Sequence, residues 1–165
     1  MKQSLEIINR ILTTEQLIFQ LKRWELLDKK VVFTNGVFDI LHHGHISLLS
    51  QAATFSDILV VGINSDASVK KLKGNSRPIN SEGSRALLIA SLVMVDVVVI
   101  FDEETPYELI KKIQPAVLVK GGDYTIDTIV GADEVINNGG AVKIIPTEEG
   151  FSTTGIIGKM LDAGC

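Results

Sequence analysis

Short apolar runs alternate along the chain with longer amphipathic segments. The apolar runs are rich in Val and Ile and lie at 31–34, 58–63, 97–101, 117–119 and 142–145. Because they lack polar alternation, they predict strands that are buried on both faces. Amphipathic segments predict helices at 46–54, 82–92, 106–113, 133–137 and 153–161. This order predicts an α/β fold with a doubly wound, parallel sheet of five strands.

The first 28 residues have a helical pattern without strand-like runs. Thr13 and Gln16 have the spacing of a capping box, and apolar residues from Leu17 to Trp24 recur on one helical face. We therefore expect an N-terminal helical extension at 1–28 and a single domain at 29–165. The apolar face of the extension is expected to pack on the domain or on a second subunit, so a homodimer is expected.

Composition and charge exclude several classes of protein. The net charge of −4 disfavours a basic face for nucleic acid, so we expect no nucleic-acid partner. No apolar run reaches the ~18 residues that span a bilayer, and the first residues lack the layout of a signal peptide. The one cysteine, Cys165, is the last residue and has no partner for an intramolecular disulfide. These features predict a cytoplasmic protein with no membrane partner.

Two histidines lie where the strand at 31–34 gives way to the helix at 46–54. His42 and His45 are separated by His43 and Gly44. At such a corner of an α/β sheet, backbone N–H groups and the helix dipole bind anions. We therefore predict that His42 and His45 contact a polyphosphate and that Gly44 lets the backbone approach it closely. A histidine that only caps the helix is the structural alternative, and His43 is assigned no role.

A longer series of motifs surrounds these histidines. The stretch 36–45, Gly-Val-Phe-Asp-Ile-Leu-His-His-Gly-His, resembles the H-x-G-H signature of the nucleotidyltransferase superfamily, which includes small cytidylyl- and adenylyltransferases and class I aminoacyl-tRNA synthetases. Further motifs follow at 64–66, 72–78, 119–124 and 149–154. The series resembles the adenylyltransferase domain of bacterial ADP-heptose synthesis, which is often fused to a sugar kinase. It implies a Rossmann-like nucleotidyltransferase fold and AMP transfer from ATP to D-glycero-D-manno-heptose 1-phosphate, for lipopolysaccharide or another surface glycan.

The resemblance also implies roles for particular residues. The catalytic residues are expected to be His42, His45, Lys73 and Lys120. The nucleotide is expected to be bound by Asn35, Gly36, Phe38, Gly44, Arg77, Arg85, Ser152, Thr153 and Thr154. The sugar phosphate is expected to be bound by Asp39, Asp66, Lys120, Gly121 and Asp123.

Physical chemistry supports some of these roles independently. Lys120 ends a buried strand, where an ammonium group is costly unless it meets an anion such as the sugar phosphate. The segment 73–78 contains a glycine, a proline and the two cations Lys73 and Arg77, and we expect a mobile loop that closes over the phosphates. Ser152 precedes the last helix, where its hydroxyl serves as an N-cap in any protein and as a phosphate contact in this family.

The expected partners are ATP and heptose 1-phosphate, with Mg²⁺ carried by ATP and held mainly by phosphates and water. No metal-binding residues are assigned. The 165 residues leave no room for a kinase, so we expect a separate heptose kinase.

Two alternatives remain open. One is a cytidylyltransferase for glycerol or ethanolamine phosphate on the same fold. The other is a nucleotide-binding regulatory module without catalysis. Thr147 stands where the glycerol-phosphate enzymes have an arginine, and His42, His45, Lys73 and Lys120 are all present, which together favour the heptose enzyme.

Overall fold

The computed structural model describes residues 5–146 and 150–164, without the side chains of Leu5 and Glu6. The features predicted at Thr147, Glu149 and Cys165 lie outside the described residues, as do the first four residues.

Six parallel strands form one sheet, in the order β1-β4-β3-β2-β5-β6. The strands are β1 (Ile11–Leu12), β2 (Val31–Gly36), β3 (Ile58–Asn64), β4 (Val97–Phe101), β5 (Val117–Gly121) and β6 (Ala141–Ile145). The helices are α1 (Leu5–Ile8), α2 (Thr14–Leu26), α3 (His43–Ala53), α4 (Asp66–Lys73), α5 (Glu82–Ala90), α6 (Tyr107–Ile113), α7 (Ala132–Asn137) and α8 (Thr153–Asp162), with a 3-10 turn at Ile126–Thr128. Within the described ranges, none of the helices is both long and apolar enough to cross a bilayer.

The helices cover both faces of the sheet, as the continuous apolar strands predict. In β2, Phe33 packs on one face with Leu17 of α2 and Ile110 of α6. Its neighbour Val32 packs on the other face with Leu49 of α3. These five side chains, together with Ile89 of α5, have no exposed surface. The α/β class and the doubly wound arrangement are therefore confirmed.

Two elements, β1 and α4, were not predicted from the sequence. The sheet has six strands and not five, because Ile11 and Leu12 pair with Val98 and Val99 of β4. These two residues lie between α1 and α2, and a run of two apolar residues is too short to predict a strand from sequence. The predicted capping box of α2 is confirmed: the Thr13 side chain accepts from the Gln16 N–H, and the Gln16 side chain accepts from the Thr13 N–H.

The chain reverses direction across the sheet at β2. It proceeds from β2 through β3 to β4 on one side, and it then crosses to β5 and β6 on the other. Connections diverge at such a point and leave a crevice at the carboxyl ends of the strands, where α/β proteins bind ligands. Here the crevice lies at the carboxyl ends of β2 and β5.

Candidate active site

The two histidines of the motif occupy the start of α3, just beyond β2. His42 is the N-cap residue, in an extended conformation with φ −145° and ψ 171°. Its carbonyl oxygen accepts from the N–H of His45 at 3.0 Å, but its ring makes no capping hydrogen bond to the described backbone. The backbone of His42 therefore starts the helix, while the ring remains available, which argues against a role limited to capping.

The rings of His42 and His45 are stacked, with centroids 3.8 Å apart and planes inclined by 24°. Phe38 contacts His45 edge-on at a centroid distance of 5.1 Å. The Nδ1 atoms of both histidines are buried and have no hydrogen-bond partner among the described residues. Buried polar atoms are nearly always paired in proteins, so these two atoms indicate a position for a ligand. His43, by contrast, is exposed, and its ring centroid lies 4.9 Å from that of Phe151.

The environment keeps both imidazoles neutral near pH 7. Burial, with smaller contributions from the charges of His42 and Lys73, lowers the pKa of His45 to about 4. Burial also lowers the pKa of His42. A neutral imidazole has one N–H donor and one acceptor, whereas a nearby anion favours the doubly protonated form with two donors. The pair can therefore gain a proton when negative charge arrives.

The N-terminus of α8 lies against the start of α3. Ser152 is the N-cap of α8, and its Oγ accepts from the N–H of Gly155 at 3.0 Å, which confirms the predicted cap. A Cβ at Gly44 would lie 3.2 Å from two ring atoms of His42 and 3.6 Å from the Cβ of Phe151. Only glycine fits comfortably between these side chains. Two helix N-termini, one of them followed by Thr153 and Thr154, therefore converge where an anion would bind.

Lys120 approaches the same crevice from β5. Its Nζ donates to the Oδ1 of Asn35 in β2 at 3.3 Å and lies 5.8 Å from the ring centroid of Tyr124. Burial lowers the pKa of Lys120, so the charged ammonium is held at an energetic cost that a bound anion would reduce. The structure thus brings together Asn35 and Lys120, a contact that the sequence did not predict. Gly121 follows in β5, and Asp123 is exposed beyond it.

Asp39 is placed differently from its predicted role. Its side chain is 1% exposed. It accepts from the backbone N–H groups of Ile79 and Asn80 at 2.9 Å and from Nε of Arg77 at 2.7 Å. Burial alone would raise the pKa of this carboxyl group, but the N–H groups of Asn80 and Ile79 and the Arg77 side chain lower it. The expected contact between Asp39 and the sugar is therefore replaced by contacts within the protein.

Arg85 is also engaged within the protein. Its side chain has no exposed surface. The guanidinium donates to the carbonyl oxygens of Val37, Asn64 and Asn80 at 2.6, 2.8 and 3.0 Å and to the Asp66 carboxylate at 2.8 Å. The structure offers no surface of Arg85 to a nucleotide. Arg85 instead links the carboxyl ends of β2 and β3 to the start of α5, and it forms an ion pair with Asp66.

One aromatic residue, Phe38, and one glycine, Gly36, form the wall behind the histidines. Phe38 is 3% exposed and has a φ of +49°. A Cβ at Gly36 would lie 3.0 Å from the Phe38 ring, so a larger residue would displace it. In the structure Phe38 contacts His45, and Gly36 leaves space for the Phe38 ring. The expected contacts of both residues with the nucleotide stay predictions. Sequence reasoning did not identify Phe151 or Tyr124, although each lies within a motif that it used.

Lys73 lies at the end of α4 and not in a loop. The predicted loop at 73–78 is wrong at its start, because Ser65 caps a helix that runs to Lys73. Lys73 ends the helix that follows β3, and its charge contributes to the lowered pKa of His45. Arg77 follows after a short turn in which its N–H donates to the Gly74 carbonyl at 3.1 Å.

Comparison with known families and proteins agrees with this geometry. The Cytidylyltransferase-like family model matches residues 33–159. The chain is 57% identical over 150 residues to the "Bifunctional protein HldE" of Koribacter versatilis, covering 91% of this chain and 31% of that protein. The protein of the same name from Caulobacter vibrioides is 56% identical over 137 residues, which are 83% of this chain and 28% of that protein. The chain thus spans about a third of the length of these relatives.

Two solved structures are also similar. The lipopolysaccharide core biosynthesis protein from Thermoplasma volcanium GSS1 has a TM-score of 0.58 and 31% identity, over 73% of this chain and 97% of that one. The pantoate-beta-alanine ligase from Francisella tularensis, solved with Beta-gamma ATP and Beta-alanine, has a TM-score of 0.63. It is 18% identical over 84% of this chain and 67% of that one, so it supports the fold alone.

Proposed function

The chain belongs to the cytidylyltransferase-like family of nucleotidyltransferases, and from that premise we propose that it transfers AMP from ATP to D-glycero-D-manno-heptose 1-phosphate. The products are ADP-heptose and pyrophosphate. Support for the sugar comes from the motif series that resembles the adenylyltransferase of ADP-heptose synthesis and from the high identity to proteins named HldE. Support for ATP as the donor comes from the same resemblance.

One observation carries the chemical part of the proposal. The stacked rings of His42 and His45 have buried, unpartnered Nδ1 atoms at the N-terminus of α3, and the N-terminus of α8 lies beside them. This is a cradle for a polyphosphate. On the other side of β2, buried Lys120 adds a cation with only an amide oxygen as its hydrogen-bond partner in the described structure. The site therefore offers two sets of groups that favour anions, namely the histidines with the two helix N-termini and, separately, Lys120.

These positions suggest how the reaction proceeds. An oxygen of the sugar phosphate forms a bond to the α-phosphorus of ATP, and the bond between that phosphorus and the bridging oxygen of the β-phosphate breaks. The attacking oxygen is already anionic at pH 7, so the step requires no general base and releases no proton. The residues have to hold two repelling anions in line and neutralise the charge on the departing oxygen.

Each side chain then has a distinct task. Lys120, steadied by Asn35, binds the sugar phosphate. His42 and His45 donate hydrogen bonds to ATP phosphates. Burial lowers the pKa of both rings, so each is neutral before ATP binds and has one N–H donor. The hydroxyl and N–H groups at the start of α8, from Ser152 to Thr154, bind the remaining phosphate oxygens.

Mg²⁺ is part of the same proposal. No group of three or more His, Cys, Asp or Glu side chains in the described residues could hold a metal ion by itself. Phosphate oxygens are good Mg²⁺ ligands, so the ion is proposed to enter with ATP and to offset phosphate charge. The residues around the histidines are cationic or neutral and suit a phosphate-bound ion more than a protein-bound one.

Pyrophosphate release tests the proposal. Wild-type protein is incubated with ATP, CTP or GTP and with a panel that contains heptose 1-phosphate, glycerol phosphate and ethanolamine phosphate. Release only with ATP and heptose 1-phosphate is expected. Release with CTP and glycerol or ethanolamine phosphate would assign the chain to the second candidate, the polyol or amino-alcohol phosphate cytidylyltransferases. Binding of ATP without release would favour a regulatory module.

The remaining partners belong to the proposal as predictions. A homodimer is supported by exposed apolar side chains on and after α2, where Phe19, Leu26 and Leu27 are 63%, 87% and 67% exposed. Sedimentation velocity with wild type and Phe19→Glu tests it. We also propose that a separate kinase supplies the heptose phosphate and that the protein is cytoplasmic.

A further inference from the structure

A single carboxylate holds the segment between α4 and α5 against the histidine motif. Asp39 binds the backbone N–H groups of Ile79 and Asn80, and its own carbonyl oxygen accepts from the Asn80 side chain at 2.6 Å. The same carboxylate pairs with Nε of Arg77. Since Asp39 lies three residues before His42, this set of bonds fixes the segment directly beside the active site.

Arg77 keeps an unused donor in this arrangement. Its side chain is only 14% exposed, and its Nη2 is buried without a hydrogen-bond partner in the described part of the chain. A buried cationic donor that lacks a partner is costly. The carboxylate fixes one edge of the guanidinium and leaves another edge for an anion. Planar guanidinium groups that are held in this way recognise phosphate oxygens well.

The topology indicates which anion Arg77 meets. The segment follows β3 and α4, and β3 lies on the opposite side of β2 from β5, which carries Lys120. Lys73, at the end of α4, is near enough to His45 to lower its pKa. Asp39 ties Arg77 to the histidine motif, and Lys73 also lies near His45, so the anion that Arg77 meets is the polyphosphate proposed for the histidines. Lys120 approaches from β5 on the opposite side of β2.

We propose that Asp39 is a positioning residue, which touches no substrate and directs Nη2 of Arg77 toward the β- and γ-phosphates of ATP. This inference rests on the proposed function, because it assumes that ATP is the nucleotide and that pyrophosphate leaves. It replaces the predicted contact between Asp39 and the sugar with an indirect role through Arg77.

Calorimetric titration of the full chain with ATP and with AMP, without sugar phosphate, tests the inference. AMP lacks the two phosphates that Arg77 would contact. Asp39→Asn and Arg77→Gln are each expected to weaken ATP binding by about tenfold or more, as for loss of a charge-assisted hydrogen bond, and to leave AMP binding within about twofold. The double variant is expected to bind ATP no more weakly than Arg77→Gln alone, because both changes remove one contact.

The chain provides a matched control in Asp57. This residue also accepts from a backbone N–H, that of Lys30 at 2.9 Å, and from a basic side chain, that of Lys29 at 3.3 Å. It precedes β3, at the end of the sheet opposite to the site. Asp57→Asn is expected to bind ATP and AMP like wild type. If Asp39→Asn does not fold, Asp39→Glu, which keeps the charge but displaces the guanidinium, is expected to show the same selective loss for ATP.

Three results would overturn the inference. They are equal losses for ATP and AMP, additive losses in the double variant, and unchanged ATP binding in Asp39→Asn. Failure of the proposed function is separate, because it would be seen as wild-type protein that binds ATP but releases no pyrophosphate with heptose 1-phosphate. The binding experiment omits the sugar phosphate, so its outcome does not depend on which acceptor is used.

Discussion

Replacement of His45 by alanine tests the proposed role of the histidine pair. Because burial lowers the pKa of His45 to about 4, its ring in the free protein is neutral at pH 7.5. Its ring lies against His42 and Phe38, so its position is fixed before substrate arrives. Loss of a fixed donor to a departing oxygen costs about 10²–10³ in kcat in comparable sites. His45→Ala is expected to lose turnover by that factor.

His43 provides a control on the same turn of α3. It is exposed, and its ring contacts Phe151 and not the other histidines. His43→Ala is expected to keep kcat within about threefold, since an exposed side chain that contacts only Phe151 contributes little to stabilising the transition state. The assay is steady-state pyrophosphate release at saturating ATP and sugar phosphate, with thermal unfolding to verify the fold. A folded His45→Ala protein with near-normal kcat, or an equal loss in both variants, would refute the role of His45.

Three further predictions concern other parts of the structure. Lys120→Met is expected to raise the KM for sugar phosphate about tenfold with little change in the KM for ATP. The control Lys143→Met, at an exposed position of β6, is expected to change neither KM. An effect on the KM for ATP alone would contradict the assignment of Lys120. Arg85→Met is expected to destabilise the fold by about 3 kcal/mol or more in urea unfolding, because it leaves three carbonyl oxygens and a carboxylate unpaired; a loss below 1 kcal/mol is the contrary result. Folding stability is expected to fall as pH drops from 6.5 toward 4, because the unfolded chain binds a proton at His45 that the folded protein resists, and His45→Gln should reduce this slope.

The main features of the fold were predictable because the strands are buried on both faces. Val31–Phe33 and Ile58–Ile63 are uninterrupted apolar runs, and such runs followed by amphipathic segments indicate a parallel sheet. α4 was missed because its sequence, Asp-Ala-Ser-Val-Lys-Lys-Leu-Lys, buries only Ser68 and Val69 and has a thin apolar stripe. β1 was missed because two residues carry no periodicity.

The site was predictable where residue type and chain position suffice. His42, His45 and Ser152 lie at helix starts, and helix starts can be located from sequence. Asp39 and Arg85 could not be assigned in this way, because their contacts include residues that are distant in sequence. Arg77 lies 38 residues from Asp39, and Val37 lies 48 residues from Arg85. A charged residue in a motif suggests a ligand contact, but only the folded chain shows whether another part of the protein already satisfies it.

The identity of the product tests the central proposal most directly. Wild-type protein is given ATP and heptose 1-phosphate whose phosphate oxygens carry ¹⁸O, and the products are separated and weighed by mass spectrometry. The account predicts ADP-heptose that retains the labelled phosphate, with an ¹⁸O bridge to the phosphorus from ATP, and unlabelled pyrophosphate. Formation of AMP without ADP-heptose, label in the pyrophosphate, or a nucleotide sugar only when CTP replaces ATP would contradict it.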